Sequence, residues 1–515
     1  IADIHFPIEI EDALRAKKRF AFEELFLMQI FNLRERKILS SKKAPVLALQ
    51  ATNLNAIIEK LPFKLTSAQN QTLSEILSDL SSGKPMNRLL QGDVGSGKTV
   101  IAAIASLASA NCKYQTVFMA PTEVLAKQHF ETLKKLFENL PQKTSIALVT
   151  GSSAKIQYES NLESETTKKK AKEAIEQGQI NIAIGTHALI QKDIKFLNLG
   201  LVVIDEQHRF GVRQRAELLT NRDKDESIPH LLSMSATPIP RTLTLTIFGD
   251  LDLSIINEMP SGRKPIITKI VSPENRDKAY AFIRGQVKNG RQVFVICPRI
   301  EKQEENNEDN FKDKRTDLWA DVKNVTEEYE KLKNKIFPDL RVEMLHGKLK
   351  PKEKSEVMTK FQNREFDILV STSVIEVGVD IPNATIMMIE SADRFGLAQL
   401  YQFRGRVGRG EHQSFCFLFT ESSSKSTQDR LKALIEAKNG FELAEMDLKL
   451  RGPGEFLGSS QTGMPDIAMR ALQNMELIKE GRDAAEIILA KSADLKKYPE
   501  LLEKVAEFKA IIHLE

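Results

Sequence analysis

Cysteine is scarce: Cys112, Cys297 and Cys416 are the only three in 515 residues, and they lie far apart. That leaves a disulfide framework without material and points to a reducing compartment. The eight histidines form no Cys/His cluster with zinc spacing, so no structural zinc is expected. No apolar run approaches the roughly 18 residues needed to cross a bilayer, and no membrane association is expected. An excess of one charge is missing too. Lys plus Arg total 74 against 70 Asp plus Glu, a net of +4, so any basic path for nucleic acid must be local. The opening Ile1-Ala2-Asp3-Ile4-His5-Phe6-Pro7 has neither an initiator Met nor a basic-then-apolar signal pattern; the chain reads as a fragment with something N-terminal absent. With 41% hydrophobic and 28% charged residues, what is present is an ordinary globular composition, long enough for three or four domains.

Residues 10 to 40 carry Leu14, Phe20, Phe22, Leu25, Phe26, Leu27, Ile30, Phe31 and Leu33 largely at helical spacing. The pattern suggests a helix joining an absent N-terminal domain to the rest of the chain, with an edge helix of the first lobe as the alternative. From about 61 to 262, short β-rich runs alternate with helical patterns: Arg88–Gln91, Thr116–Met119, Ser145–Val149, Ile180–Ile184, Leu201–Ile204 and Leu231–Met234. Pro260-Ser261-Gly262-Arg263 reads as a hinge. A second series runs to about 423: Ile266–Val271, Gln292–Ile296, Arg341–Leu345, Ile368–Ser371, Thr385–Ile389 and Phe415–Phe419. Such alternation predicts an α/β chain of two tandem parallel-sheet lobes with helices on both faces. Residues 301–335, rich in Asn, Glu, Asp and Lys, read as a solvated surface insertion with one helix. After 424 the pattern is helical, broken by a Gly-rich segment at 451–463.

Gly92-Asp93-Val94-Gly95-Ser96-Gly97-Lys98-Thr99 fits the phosphate-loop pattern of nucleoside triphosphatases. Backbone N–H groups must approach phosphate oxygens closely, which side chains at Gly92, Gly95 and Gly97 would hinder. Ser96 lies among them, Lys98 supplies charge to the β- and γ-phosphates, and Thr99 a hydroxyl for Mg²⁺. The loop follows a strand and opens a helix, which is its confirming context. Asp205-Glu206 ends the apolar run Leu201-Val202-Val203-Ile204; alone this is an ordinary acidic turn, but with a phosphate loop upstream Asp205 can hold Mg²⁺ and Glu206 can deprotonate the attacking water. Gln402-Phe403-Arg404-Gly405-Arg406-Val407-Gly408-Arg409 is either a solvated basic turn or a source of arginine fingers, Arg406 and Arg409, reaching a γ-phosphate from the second lobe.

The phosphate loop, Asp205-Glu206-Gln207-His208, Ser235-Ala236-Thr237, Gln402–Arg409 and Phe63-Lys64-Leu65-Thr66-Ser67-Ala68-Gln69, together over residues 61–420, resemble the superfamily-2 helicases, whose lobes are RecA-like. The resemblance implies that ATP and Mg²⁺ are used. It implies that Phe63, Thr66 and Gln69 read or pack on adenine, and that Gly378 and Asp380 approach the nucleotide from the second lobe with Gln402. Ser235, Thr237, Gln207 and His208 would couple hydrolysis to a nucleic-acid track built from Pro121, Thr122, Thr150, Gly151, Thr186, His187, Arg299 and Thr372. For each track residue a plain loop role stays open beside the phosphate-contact role.

Asp205–Val212 resembles the segment shared by the RecG and transcription-repair coupling translocases. Asp447–Gly458 with Gln461-Thr462-Gly463 looks like the translocation element those two share. Arg451 is its candidate key residue, with Gln461 beside it. The Gly452-Pro453-Gly454 form, Ile4-His5-Phe6-Pro7 and Ala21-Phe22-Glu23-Glu24-Leu25 are closer to the RecG family. That resemblance implies four parts: a helical linker at 1–60, an ATP-binding lobe at 61–262, a second lobe at 263–423, and a helical hairpin, translocation loop and tail at 424–515. It implies an ATP-driven double-strand DNA translocase for branch migration at stalled forks and four-way junctions. The implied protein is a monomer in the bacterial cytoplasm at the nucleoid, with single-strand-binding or replication proteins as candidate partners. No all-β segment stands in for that family's N-terminal wedge domain, so the chain is expected to hydrolyse ATP but grip forks poorly. A transcription-repair coupling translocase and a non-motor ATP-gated clamp remain as alternatives.

Overall fold

A computed structural model describes residues 2–140, 143–158, 163–186, 189, 194–206, 227–237, 251–260, 263–298, 325–347, 349–372, 381–408, 410–451 and 474–511. The order opens with helices α1 (Ala2–His5), α2 (Ile10–Ser40), α3 (Ala51–Lys60) and α4 (Ser67–Ser81), then β1 (Asn87–Gly92) and α5 (Lys98–Asn111). Next come β2 (Gln115–Met119), α6 (Glu123–Phe137), β3 (Ile146–Val149), β4 (Ala154–Gln157), β5 (Glu163–Glu165), α7 (Lys168–Glu176), β6 (Ile182–Gly185), β7 (Leu199–Asp205), β8 (His230–Ser235) and β9 (Asp252–Ile256).

These strands form one sheet in the order β5-β4-β3-β6-β2-β7-β8-β1-β9. It is parallel throughout except where β4 pairs antiparallel with β3 and β5. β2, β7 and β8 are buried along their whole length; strands covered by helices on both faces need continuous apolar runs rather than alternation. α5 is buried on nearly every side, as its unbroken Val100-Ile101-Ala102-Ala103-Ile104 sequence demands. Separate apolar clusters fill the two faces of the sheet, one around α4, α5 and α6 and one around α7.

A second sheet holds β10 (Ile267–Val271), β11 (Gln292–Ile296), β12 (Val342–Leu345), β13 (Ile368–Ser371), β14 (Ala384–Ile389) and β15 (Phe415–Phe419), in the order β10-β15-β14-β11-β13-β12. Every pair in it is parallel. α8 (Arg276–Lys288), α9 (Pro351–Gln362) and α10 (Leu397–Arg404) belong to this lobe, and its two faces carry their own cores. The expected α/β architecture of two parallel-sheet lobes is therefore what the chain adopts, with every strand proposed from the apolar runs present. The insertion differs from expectation at its C-terminal end. Residues 325–331 are helical, and Val325, Tyr329, Leu332 and Phe337 are buried in the second lobe's core. Their spacing of three to five marks a buried face that the surrounding Glu and Lys conceal; residues 299–324 lie outside the described residues.

α11 (Lys425–Glu436) and α12 (Gly440–Arg451) make the expected hairpin, which packs on α10 through Leu431, Leu434 and Leu443. The tail forms α13 (Met475–Lys491) and α14 (Pro499–Ile511). α2 touches the first lobe's edge strand β9, where Arg36 donates to Asp252 Oδ1 at 2.5 Å, and packs mainly on the tail. Its Leu25, Met28 and Ile30 pack with Leu477, Ile478, Leu489 and Phe508 of the tail, and Lys504 Nζ reaches Glu23 Oε1 at 2.6 Å. The two ends of the chain thus share one core.

Candidate active site

A parallel sheet delivers every strand's C-terminal end to the same edge, so residues scattered over the sequence meet there. Gly92 at the end of β1, Pro121-Thr122 after β2, Thr150 after β3, Thr186 after β6, Asp205-Glu206 at β7 and Ser235 at β8 all lie on that edge of the first lobe. Thr372 follows β13 on the matching edge of the second.

The phosphate loop is shaped by its glycines. Gly97 caps α5 with φ 92°, a left-handed conformation, and a Cβ there would sit 2.2 Å from Gln69 Nε2. Only glycine meets both demands. Gln69 is locked in turn. Its N–H donates to Thr66 Oγ1 at 3.2 Å, its Oε1 accepts from the Thr66 N–H at 2.8 Å, and its Nε2 donates to Ser96 O at 2.7 Å. A reciprocal helix cap therefore aims one amide at the loop, with Phe63 exposed nearby in sequence. Lys98 is buried and donates to Gly92 O at 2.6 Å and Asp93 O at 2.9 Å. Burial pushes its ammonium below the ordinary lysine range, against the pull of Glu206, Asp205 and Asp93, and Arg406 adds to the push.

The carboxylates differ in state. Burial opposes the charge of Asp205, but the hydrogen bond and charge of His129, with the charge of Lys98, outweigh it and hold Asp205 below the usual aspartate range. His129 Nε2 lies 2.7 Å from Asp205 Oδ2, and the Glu206 N–H donates to Asp205 Oδ1 at 3.0 Å. Glu206 is pushed upward, first by burial and then by Asp205, with Lys98 and Arg406 opposing. One buried acid is thus held ionised, and its neighbour is raised toward the pKa of a useful general base. Glu206 has φ 55°, a strained value for a non-glycine residue of the kind that clusters at functional sites. Ser235 and Thr237 bond through their hydroxyls at 2.8 Å, and Gln91 Nε2 donates to Thr237 O at 3.3 Å, which ties the end of β8 to that of β1.

The second lobe meets the phosphate loop directly. Gln402 and Arg406 are buried, and Arg406 acts electrostatically on both Lys98 and Glu206. Gly405 faces Val94 so closely that a Cβ would sit 2.8 Å from the valine Cβ. Three residues that sequence reasoning missed hold this contact. Tyr401 Oη donates to Asp93 Oδ2 at 2.6 Å, and the Gly440 N–H donates to Asp93 Oδ1 at 3.2 Å. Arg263 donates to Val94 O at 2.9 Å and to Gly408 O at 2.7 Å. Asp93 lies within the phosphate-loop motif and Tyr401 directly before Gln402, but nothing in the sequence pairs two residues 308 positions apart; Arg263 stood out only as part of a hinge.

Among the track residues, Thr122 caps α6 and accepts from the Leu125 N–H at 3.3 Å. Thr150 is buried and turned onto Ser153, while Gly151 lies against Glu123, whose Oε1 a Cβ would meet at 2.5 Å. Thr372 is buried, and Pro121 and Thr186 are half-buried at the strand ends. Gln207, His208, His187, Arg299, Gly378, Asp380, Arg409 and Gln461 lie outside the described residues, as does the loop after Arg451.

Known proteins resemble this chain in sequence and fold. A relative from Staphylococcus epidermidis named ATP-dependent DNA helicase RecG is 43% identical over 516 residues, covering 98% of this chain and 70% of that one. The chain belongs to the RecG family. A Synechocystis relative of the same name is 45% identical over 510 residues, covering 98% of this chain and 58% of its own length, so the chain spans about three fifths of that relative. Family models for the DEAD/DEAH box helicase match residues 66–246, the helicase conserved C-terminal domain 275–411, and the C-terminal part of RecG domain 3 residues 437–509. A solved structure of RecG bound to a three-way DNA junction superimposes with TM-score 0.72 at 39% identity, over 92% of this chain and 59% of that one. Among the described residues no helix is long and apolar enough to cross a membrane.

Proposed function

We propose that this chain is the motor part of a translocase that uses ATP to move on duplex DNA, driving branch migration and regression of stalled forks and recombination junctions in the bacterial cytoplasm. The observation that carries the reading is the convergence of Lys98 and Glu206 from one lobe with Arg406 from the other, which makes ATP cleavage a switch for lobe closure. The RecG structure on a three-way junction supports branched DNA as the substrate class. Single-strand-binding or replication proteins are the partners to test, and a monomer is the proposed working unit.

The cradle fits an ATP–Mg²⁺ substrate: positive-φ glycines open the loop, and a buried lysine waits at the head of α5. A Mg²⁺ ion brought in with ATP would lean on the phosphates plus one carboxylate. Thr99 and Asp205 are the residues to hold Mg²⁺, which would neutralise phosphate charge. Gln69, with Thr66 and Phe63, positions the base, and Lys98 balances charge on the β- and γ-phosphates. Glu206 takes the proton of the attacking water, while Arg406, with Gln402 and Arg409 beside it, stabilises charge on the transferred group. Ser235 and Thr237 are proposed to link this centre to the strand-end residues Pro121, Thr122, Gly151 and Thr186, which would face DNA with the buried Thr150 and Thr372 behind them.

Phosphate release measured with and without duplex DNA tests the reading. Turnover should rise on DNA and vanish in Lys98→Ala and Glu206→Gln; turnover that duplex DNA leaves unchanged would reject a motor.

A further inference from the structure

Asp93 occupies an unusual position within the phosphate loop. Its carbonyl accepts from Lys98 Nζ at 2.9 Å, whereas its carboxylate points to the other lobe. There Oδ2 accepts from Tyr401 Oη at 2.6 Å and Oδ1 from the Gly440 N–H at 3.2 Å. Gly440 is the first residue of α12, so the carboxylate satisfies an orphan helix N–H and meets the positive end of the helix dipole. Burial, followed by the charge and hydrogen bond of Asp93, pushes the Tyr401 phenol far above its usual range, so it stays a donor.

The elements behind these two contacts form one body. Leu431, Leu434 and Leu443 share a core with Leu400, Tyr401 and Phe403. Arg404 donates to Leu434 O at 2.7 Å, and its guanidinium lies 4.5 Å from the centre of the Tyr401 ring. α12 has 12 residues, a reach of about 18 Å at roughly 1.5 Å per residue, and it ends at Arg451, where the Gly-rich segment begins in sequence.

We propose that Asp93 and Tyr401 form a strut that carries a change in the phosphate loop to α12, making Tyr401 a positioning residue for DNA movement rather than for ATP cleavage. The strut rests on the proposed motor function. Phosphate oxygens compete with the carbonyls of Gly92 and Asp93 for the Lys98 ammonium. Drawing Lys98 toward phosphate releases the loop at the residue that α10 and α12 grip.

The test uses Tyr401→Phe in the full chain, which removes one hydroxyl and keeps the buried ring. Gly440→Pro deletes the second donor at a first-helical position where proline is tolerated. Three quantities are read: ATP turnover without DNA, KM for ATP, and third strands displaced from a triplex per ATP hydrolysed. Any change in DNA-free turnover or KM should be smaller than the loss of displacement per ATP, because Lys98 and Arg406 are untouched. Displacement per ATP should fall about tenfold, the scale of one lost hydrogen bond to a charged group. The double variant should lose less than the product of the single losses, since both bonds serve one carboxylate. Unchanged displacement per ATP in both single variants overturns the strut, as does an equal loss of DNA-free turnover. A parent that shows no DNA-stimulated turnover overturns the motor reading itself.

Discussion

His129 donates from Nε2 to Oδ2 of Asp205 at 2.7 Å, and both side chains are buried. The imidazole fixes the carboxylate proposed to hold Mg²⁺ and helps keep it charged, acting with Lys98 against the effect of burial. Removal of such a supporting partner commonly weakens a metal site by about 10- to 100-fold. His129→Ala should therefore raise the Mg²⁺ concentration for half-maximal ATP turnover by about tenfold. The same change lets the pKa of Asp205 rise, so the Mg²⁺ requirement of the variant should grow more steeply than the parent's as pH falls. A titration of Mg²⁺ at several pH values checks both; coincident curves for parent and variant would count against this role.

The phosphate loop gives a second expectation. Gly97→Ala forces a Cβ into a left-handed position 2.2 Å from Gln69 Nε2. Backbone strain and the loss of the Gln69 bond to Ser96 O together should weaken ATP binding by about 2 kcal/mol, or roughly thirtyfold. Gln69→Ala loses the amide alone and should show a smaller defect, with reduced preference for ATP over GTP. Equal affinity for ATP in the parent and Gly97→Ala, read by fluorescent-nucleotide titration, would contradict the cradle.

A third concerns stability. His230 is fully buried, accepting on Nδ1 from the Met86 N–H at 3.1 Å and donating from Nε2 to Pro45 O at 2.7 Å. The arrangement requires neutral imidazole, and burial depresses its pKa in spite of the Pro45 carbonyl. The unfolded chain then binds the proton more readily. Its contribution to stability is complete above the ordinary histidine pKa of about 6.5 and is lost as pH falls from there through the lowered folded value. His230→Ala strands two buried backbone groups and should cost about 3 kcal/mol. Thermal melts from about pH 7.5 to 5, spanning the ordinary histidine value, should show the parent losing stability on acidification and the variant, already lower, losing less. Parallel slopes would place the titration elsewhere.

The parts of this architecture that were legible from residues alone are those whose signal is local. Leu201-Val202-Val203-Ile204 and Gln292–Ile296 must be buried strands because their apolar runs are continuous, and the phosphate loop declares itself by spacing. β4, β5 and β9 were missed because Ala154–Gln157, Glu163–Glu165 and Asp252–Ile256 are short strands toward the sheet edges; pairing with a neighbour, rather than their own composition, makes them strands. The packing of α2 on the tail was not legible because its partners, Leu477 to Phe508, lie at the far end of the sequence. The burial of Val325 and Tyr329 was hidden by charge on the opposite helix face. At the site, the placement of Lys98 at the head of α5 and of Asp205-Glu206 at the end of β7 was readable from residue type and position. The grip of Tyr401 and Arg263 on the loop was not, since it exists only once the lobes meet.

The central claim is that one ATP pocket is built from both lobes. Steady-state ATP turnover by Arg406→Ala on saturating duplex DNA, with nucleotide affinity measured in parallel, tests it most directly. The account predicts that kcat falls by about a thousandfold, the lower end of the effect of an arginine finger, while ATP affinity changes by no more than a few-fold. Turnover within about twofold of the parent would contradict it.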